Sequence, residues 1–257
     1  MRRVAVVLSG GGAKAAAHLG AVRALREAGL EPTRYIGTSM GAVMAAMLAA
    51  GLTPEAVIDR VSGVRRHDVA RLSAASLVQG LFATALLQPE PLQRTISRLV
   101  PVTAFDQLRI PLTVTAADLD TGELVCFGDG GIDAPLPTAL AASCALPLWF
   151  PPEVWEERRL ADGGLRGALP LGVAARFESD LVVAVDAGPG FDALPATGKL
   201  APPPLIRMHN DSMGALMAAN TELELALWRA TPDRPPLLYV RPVVERGATF
   251  ALHQAGR

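Results

Sequence analysis

Cysteine is almost missing from this chain: Cys126 and Cys144 are the only two in 257 residues. That is too few, and too widely spaced, for a zinc knuckle or a disulfide framework, so reduced structural thiols are expected. No charge excess of either sign exists, since the formal net charge is −1 and the pI is near 6.4. A global basic field for nucleic acid is thereby excluded, and any anionic surface must be met by a local patch. Internal repeats are lacking as well. The longest uncharged stretch, Ala134 to Pro152, is interrupted by prolines at 135, 137, 147, 151 and 152. Such a stretch reads as a buried loop and short helix rather than a membrane span. After Met1-Arg2-Arg3 the apolar run stops at Leu8, too short for a signal-peptide core, and a cytoplasmic protein is expected.

What the chain does have is apolar content, 50% of its residues. That allows a substantial core, and at this length one α/β domain spanning 1–257 is the default. Arg2 to Ser9 reads as a buried strand and Ala15 to Ala28 as a helix with Leu19, Val22 and Leu25 on one face. Gly29 is placed to end that helix. Arg34 to Gly37 is a second strand, and Ala42 to Ala50 a helix apolar all round, which belongs in the centre of a fold. Residues 54–100 read as irregular helix. Strands are expected at Ile110 to Ala117, Glu123 to Phe127, Val154 to Leu160, Asp180 to Val185 and Leu237 to Val240. Helices are expected at Thr138 to Cys144, Leu169 to Phe177 and Leu205 to Arg229, with Phe191 to Pro204 an exposed connection. Alternating strands and helices favour a mainly parallel sheet covered on both sides, with reactive groups at the carboxyl ends of strands.

Two glycine-framed turns fall at such ends. Gly37-Thr38-Ser39-Met40-Gly41 fits G-x-S-x-G between a strand and a helix, a setting that presents a serine hydroxyl at a helix's positive end. Gly10-Gly11-Gly12-Ala13-Lys14 offers a row of backbone N–H groups for an oxyanion or a phosphate. Nucleotide binding is poorly matched. Lys14 is followed by Ala15 instead of the Ser or Thr of a P-loop, and the G-x-G-x-x-G pattern is absent. Lys14 opposes the helix dipole, so it either fixes the loop, assists an anionic substrate group, or is merely solvated.

A serine needs a base to accept its proton. His209 and His253 come late enough for a Ser-His-Asp order, yet neither lies in a clear strand-end loop. Asp162-Gly163-Gly164 follows a strand, and its glycines permit a turn that projects the carboxylate. Asp186, ending another strand, is the rival acid.

The ordered set Gly10-Gly11-Gly12-x-Lys14, Gly37-x-Ser39-x-Gly41 and Asp162-Gly163-Gly164 resembles the patatin-like phospholipase family. Ala142-Ser143-Cys144-Ala145-Leu146-Pro147 with Phe150-Pro151-Pro152 is similar to that family's segment ahead of the D-G-G turn. The resemblance spans roughly residues 4 to 186. It implies a three-layer α/β/α sandwich and a Ser39–Asp162 dyad without histidine. Amides of Gly10, Gly11 and Gly12 would form the oxyanion hole, with Lys14, Gly37, Met40, Gly41, Gly163 and Gly164 in support. Neither metal nor cofactor is implied, and the substrate would be a lipid ester. Two positions depart from the family pattern: Ala15 follows the basic residue where glycine is usual, which could stiffen the loop, and Gly167-Ala168 stand where asparagine is often found.

On the substrate side, Leu77, Leu81, Phe82, Leu86 and Leu87 form a sparsely charged stretch that would cover the site or touch lipid, with Trp149 and Phe150 nearby. Plain core packing is the expected account of most of them. Arg60, Arg65, Arg66, His67 and Arg71 are the densest basic cluster, a solvated helix face or a dock for anionic head groups at an inner membrane face. A Ser-His-Asp esterase and a non-catalytic regulatory protein with a hydrolase-like fold are the competing functions.

Overall fold

The structure is a computed structural model that describes residues 2–189 and 203–242, the side chains of Leu77 and Leu81 excepted. Its first strand, β1 (Val4–Leu8), is buried along its whole length. A tight 3-10 turn at Gly12–Ala16 leads into α1 (Ala17–Glu27). Gly29, at φ 74°, ends α1, with the Leu30 N–H reaching back to the Leu25 carbonyl at 2.9 Å. β2 (Arg34–Thr38) and α2 (Met40–Ala49) follow, the latter buried from Gly41 to Ala49.

Residues 54–100 form α3 (Pro54–Ser62), α4 (Arg66–Val69), α5 (Ala74–Gln79) and α6 (Pro89–Leu99), broken as expected at Gly80 and Pro89. Then come β3 (Leu112–Asp118), β4 (Leu124–Gly128) and α7 (Leu136–Ser143). The stretch expected as one strand from Val154 to Leu160 is instead a hairpin of β5 (Glu153–Trp155) and β6 (Arg158–Asp162). It turns at Glu156 and Glu157, both at positive φ, 46° and 67°. Two-residue hairpin turns usually announce themselves with glycine or asparagine, and two glutamates give no such signal. The helix expected over 169–177 is only the turn α8 (Leu171–Ala174). β7 (Leu181–Val185), α9 (Pro204–Ala230) and β8 (Leu237–Val240) complete the described chain. Most of the 191–204 connection lies outside the described residues.

The sheet runs β5-β6-β3-β2-β1-β7-β8 with β4 also on β3. β3-β2-β1-β7-β8 are parallel, whereas β4 and β6 are antiparallel to β3 and β5 to β6. Alternate residues of one strand feed two cores. Val4, Val6 and Leu8 pack with α1, α2 and α7, and Ala5 and Val7 with α8 and with Leu225 and Trp228 of α9. That alternation on a doubly covered strand makes the three-layer α/β/α arrangement.

The strand pairing also fixes a meeting point. Thr115 pairs with Cys126 of β4 on one side and Thr38 of β2 on the other; Ala116 pairs with Val125 of β4 and Asp162 of β6. A strand residue has only two edges, so β2 and β6 share the edge of β3 opposite β4. They run toward each other along it and stop at Thr38 and Asp162.

Candidate active site

Ser39 is the residue after that stop. Its backbone sits at φ 55°, ψ −133°, a region costly for any residue with a Cβ. Tight packing on both flanks imposes it. A Cβ on Gly37 would stand 2.5 Å from the Ala42 Cα, and one on Gly41 2.2 Å from the Ser9 carbonyl oxygen, so only glycine fits either place. The Ser39 N–H donates to the Ser143 hydroxyl at 2.8 Å, a bond that ties the turn to the last residue of α7.

Asp162 ends β6 with its own N–H bonded to the Ala145 carbonyl at 3.0 Å. Gly163 packs so closely on β3 that a Cβ there would lie 2.5 Å from the Thr115 carbonyl, while the Gly164 N–H donates to Asp162 Oδ1 at 2.8 Å. Burial pushes the Asp162 carboxyl up to about 6, opposed by the neighbouring Ser39 hydroxyl and the hydrogen bond from the Gly164 N–H. The Ser39 hydroxyl therefore stands near enough to the Asp162 carboxyl to hold its pKa down. Cys144 completes the floor. Desolvation of its buried thiol together with the Asp162 charge raises its pKa far above the usual thiol range, partly offset by the nearby Ser39.

The glycine loop lies alongside: a Cβ on Gly10 would stand 3.4 Å from the Ser39 Cβ. Its amides are not equivalent. The Gly10 N–H is taken by the Ala168 carbonyl at 3.0 Å, which removes it from the expected oxyanion donors. Those of Gly11 and Gly12, and of Met40 at the start of α2, have no acceptor among the described residues. Lys14 belongs to the 3-10 turn, its N–H bonded to the Gly11 carbonyl at 3.2 Å. Ala15 is fully buried under that turn.

The other expected candidates are elsewhere. Asp186, the rival acid, is buried against other partners: the Tyr239 hydroxyl at 2.8 Å, the Gly188 N–H at 2.9 Å and the Arg241 guanidinium. His18 donates from Nε2 to the Ser9 carbonyl at 2.9 Å, and burial lowers its pKa to about 4. His67 is exposed beside Asp68, His209 sits on α9, and His253 lies outside the described residues. The basic cluster divides, with Arg60 on α3 bonding the Leu99 carbonyl, Arg65 just before α4, Arg66 and His67 on it and Arg71 after it. Leu87 is buried, Leu86 half-buried and Phe82 92% exposed, so the stretch splits between core and surface. Among the described residues no helix is long and apolar enough to cross a membrane.

Sequence reasoning gave Ser143 no role, although it quoted the segment containing it. No local signal marks a serine whose partner is 104 residues away.

The family model described as patatin-like phospholipase matches residues 6–175. An uncharacterized NTE family protein of Mycobacterium tuberculosis is 36% identical over 198 residues, 75% of this chain and 52% of its own. Patatin-like phospholipase domain-containing protein 6 of Mus musculus is 26% identical over 193 residues, 72% of this chain and 13% of that one. The solved structure of VipD from Legionella pneumophila overlaps at a TM-score of 0.49 and 15% identity, over 99% of this chain and 65% of that one. The chain spans about half the length of the mycobacterial relative it matches.

Proposed function

The chain belongs to the patatin-like phospholipase family, and from that membership we propose that it hydrolyses carboxylic esters of lipids with Ser39 as nucleophile and Asp162 as its only side-chain base. The observation that carries the reading is the meeting of β2 and β6 on one edge of β3, which brings the Ser39 hydroxyl close to a carboxylate that is 4% exposed. Desolvation makes that carboxylate a stronger base than an ordinary aspartate, while at about 6 it still ionises below neutral pH.

Asp162 takes the Ser39 proton as Oγ adds to the ester carbonyl carbon. The resulting oxyanion is met by the N–H groups of Gly11 and Gly12, with that of Met40 at the helix N-terminus. Collapse of the tetrahedral centre breaks the bond to the alcohol, which leaves with the proton from Asp162. Water then adds to the acyl-serine, giving its proton to the same carboxylate, which returns it to Oγ as the fatty acid departs. Gly37, Gly41, Gly163 and Gly164 serve by allowing the close packing that aims these groups, and Lys14 by its place in the loop.

We take the whole chain as one acyl hydrolase domain in which residues 54–100 cover the site. Supporting this, the Leu86 and Leu87 N–H groups bond the Leu148 and Trp149 carbonyls at 2.8 and 2.9 Å. Transient contact with a lipid surface is assigned to the exposed Val78 and Phe82 of that cover.

The test is release of p-nitrophenol from medium-chain esters, and of fatty acid from phospholipid, by wild type, Ser39→Ala and Asp162→Asn. Loss of turnover in both variants is expected, with a fluorophosphonate labelling wild-type Ser39. Equal rates in all three, or loss of turnover on His209→Ala or His253→Ala with Asp162→Asn active, overturns the reading.

A further inference from the structure

The oxyanion loop has to be aimed, and its three glycines in a row do not do so, because they have little conformational preference. What aims it is the residue just before it, itself held from the end of the neighbouring strand β7. The Ser9 hydroxyl donates to the Gly10 carbonyl at 2.9 Å. In a trans peptide the carbonyl oxygen and the following N–H point in opposite directions, so the bond that holds the Gly10 C=O also sets the direction of the Gly11 N–H. Ser9 Oγ is itself held, accepting the Ala187 N–H at 2.8 Å. The Ala187 carbonyl lies 2.6 Å from where a Gly11 Cβ would be, so the two loops are in direct backbone contact.

The Ala187–Gly188 turn is fixed in turn by Asp186. Its Oδ1 accepts the Gly188 N–H, its Oδ2 accepts the Tyr239 hydroxyl and the Arg241 guanidinium, and its own N–H bonds the Val240 carbonyl at 2.8 Å. The Asp186 side chain is wholly buried, and Arg241 is 21% exposed. Asp186, Ala187, Tyr239 and Arg241 all lie beyond residue 175, where the family match ends.

We propose that Ser9 is the positioning residue that aims the Gly11 amide at the oxyanion, and that Asp186, Tyr239 and Arg241 form the clamp that holds Ser9 in place through Ala187. The end of β8 thereby acts on the reaction without touching substrate. This inference rests on the serine-hydrolase reading of the site.

Two alkyl ketones of one chain length test it. With a trifluoromethyl ketone the Ser39 oxygen adds to the carbonyl carbon, its proton passes to Asp162, and the hemiketal oxyanion occupies the hole. The methyl ketone fills the same trough without that charge. In Ser9→Ala, kcat is expected to fall about tenfold or more with KM within twofold, a fraction of the effect of deleting a hole donor outright. Trifluoromethyl-ketone affinity should fall by the same factor and methyl-ketone affinity hold steady. Tyr239→Phe should move the same ratio a few-fold, and Arg241→Lys should keep it near wild type. Tyr239→Phe also carries the test should Ser9→Ala fail to fold, as judged by circular dichroism. Amide exchange of Gly11 and Gly12 should quicken in both altered variants. A folded Ser9→Ala or Tyr239→Phe with kcat, ketone ratio and exchange all within twofold of an active wild type overturns the clamp alone. A wild type that cleaves no ester and binds neither ketone overturns the catalytic reading and the clamp with it.

Discussion

The nucleophile turn and the glycine loop lie side by side, yet they are held by different means. Ser39 is forced into its backbone conformation by contact: Gly37 and Gly41 let Ala42 and Ser9 approach to distances no side chain would tolerate. The Gly10–Gly12 loop, though Gly11 also lies against the Ala187 backbone, is held chiefly by hydrogen bonds: the Gly10 N–H donates to the Ala168 carbonyl, and Ser9, itself held by the Ala187 N–H, donates to the Gly10 carbonyl. Steric confinement is encoded where it acts and fails abruptly when a methyl group is added. A hydrogen-bonded loop is encoded at a distance and should fail by degrees.

The largest effect is expected at the base proposed for the nucleophile turn. Asp162→Asn removes the base without altering volume, and hydrolysis of p-nitrophenyl esters is expected to drop about 10³-fold or more with the melting temperature unchanged or raised. The rise follows from linkage: a carboxyl whose folded pKa lies above its unfolded value binds its proton more tightly when folded. Its stabilisation is complete below the unfolded value and is lost as pH rises through about 6. The same carboxyl should give kcat/KM a limb that climbs about tenfold per pH unit below about 6 and levels above it, measured across pH 4.5 to 8. A limb centred near 4 would show that Asp162 is not the desolvated base.

Next in size, Gly41→Ala places a methyl group against two backbone carbonyls, and urea unfolding should show a loss of about 3 kcal/mol or no folded protein. Ser143→Ala leaves the Ser39 N–H without its partner, and about tenfold in kcat is expected, with a stability cost of about 1 to 2 kcal/mol. Gly122→Ala is the control for confinement. This glycine also has positive φ, 74°, but nothing within 4 Å, so only backbone strain of about 1 kcal/mol should appear in thermal unfolding, with turnover unaffected. If Gly41→Ala and Gly122→Ala cost the same, crowding is not what holds the nucleophile turn.

The same contrast explains what could be read in advance. Ser39, its framing glycines and the strand and helix around it follow from local pattern, because each constraint lies within a few residues of the next. Leu237–Val240 was legible for a like reason, an apolar β-rich run between prolines and an arginine-proline pair. The hairpin at Glu156-Glu157 was not, since its turn is set by tertiary pairing against the preference of its residues. Nor was the loss of the Gly10 amide to Ala168, or the occupation of Asp186 by Tyr239 and Arg241, for each joins residues more than fifty positions apart. Turn chemistry alone narrows the acid to Asp162 or Asp186 and the family resemblance favours Asp162; what the sequence does not show is that Asp186 is taken up by other partners.

One consequence follows from two strands ending head to head on a single edge of β3. β6 is five residues long and is joined to β5 by an ill-suited turn, so its register is weakly written in its own sequence. Side chains alternate faces along a strand, and a slip of one position would carry the carboxylate to the opposite side of the sheet. A molecule whose hairpin closed one step out of phase would keep Ser39 and the glycine loop in place but lose the base that the proposed reaction requires.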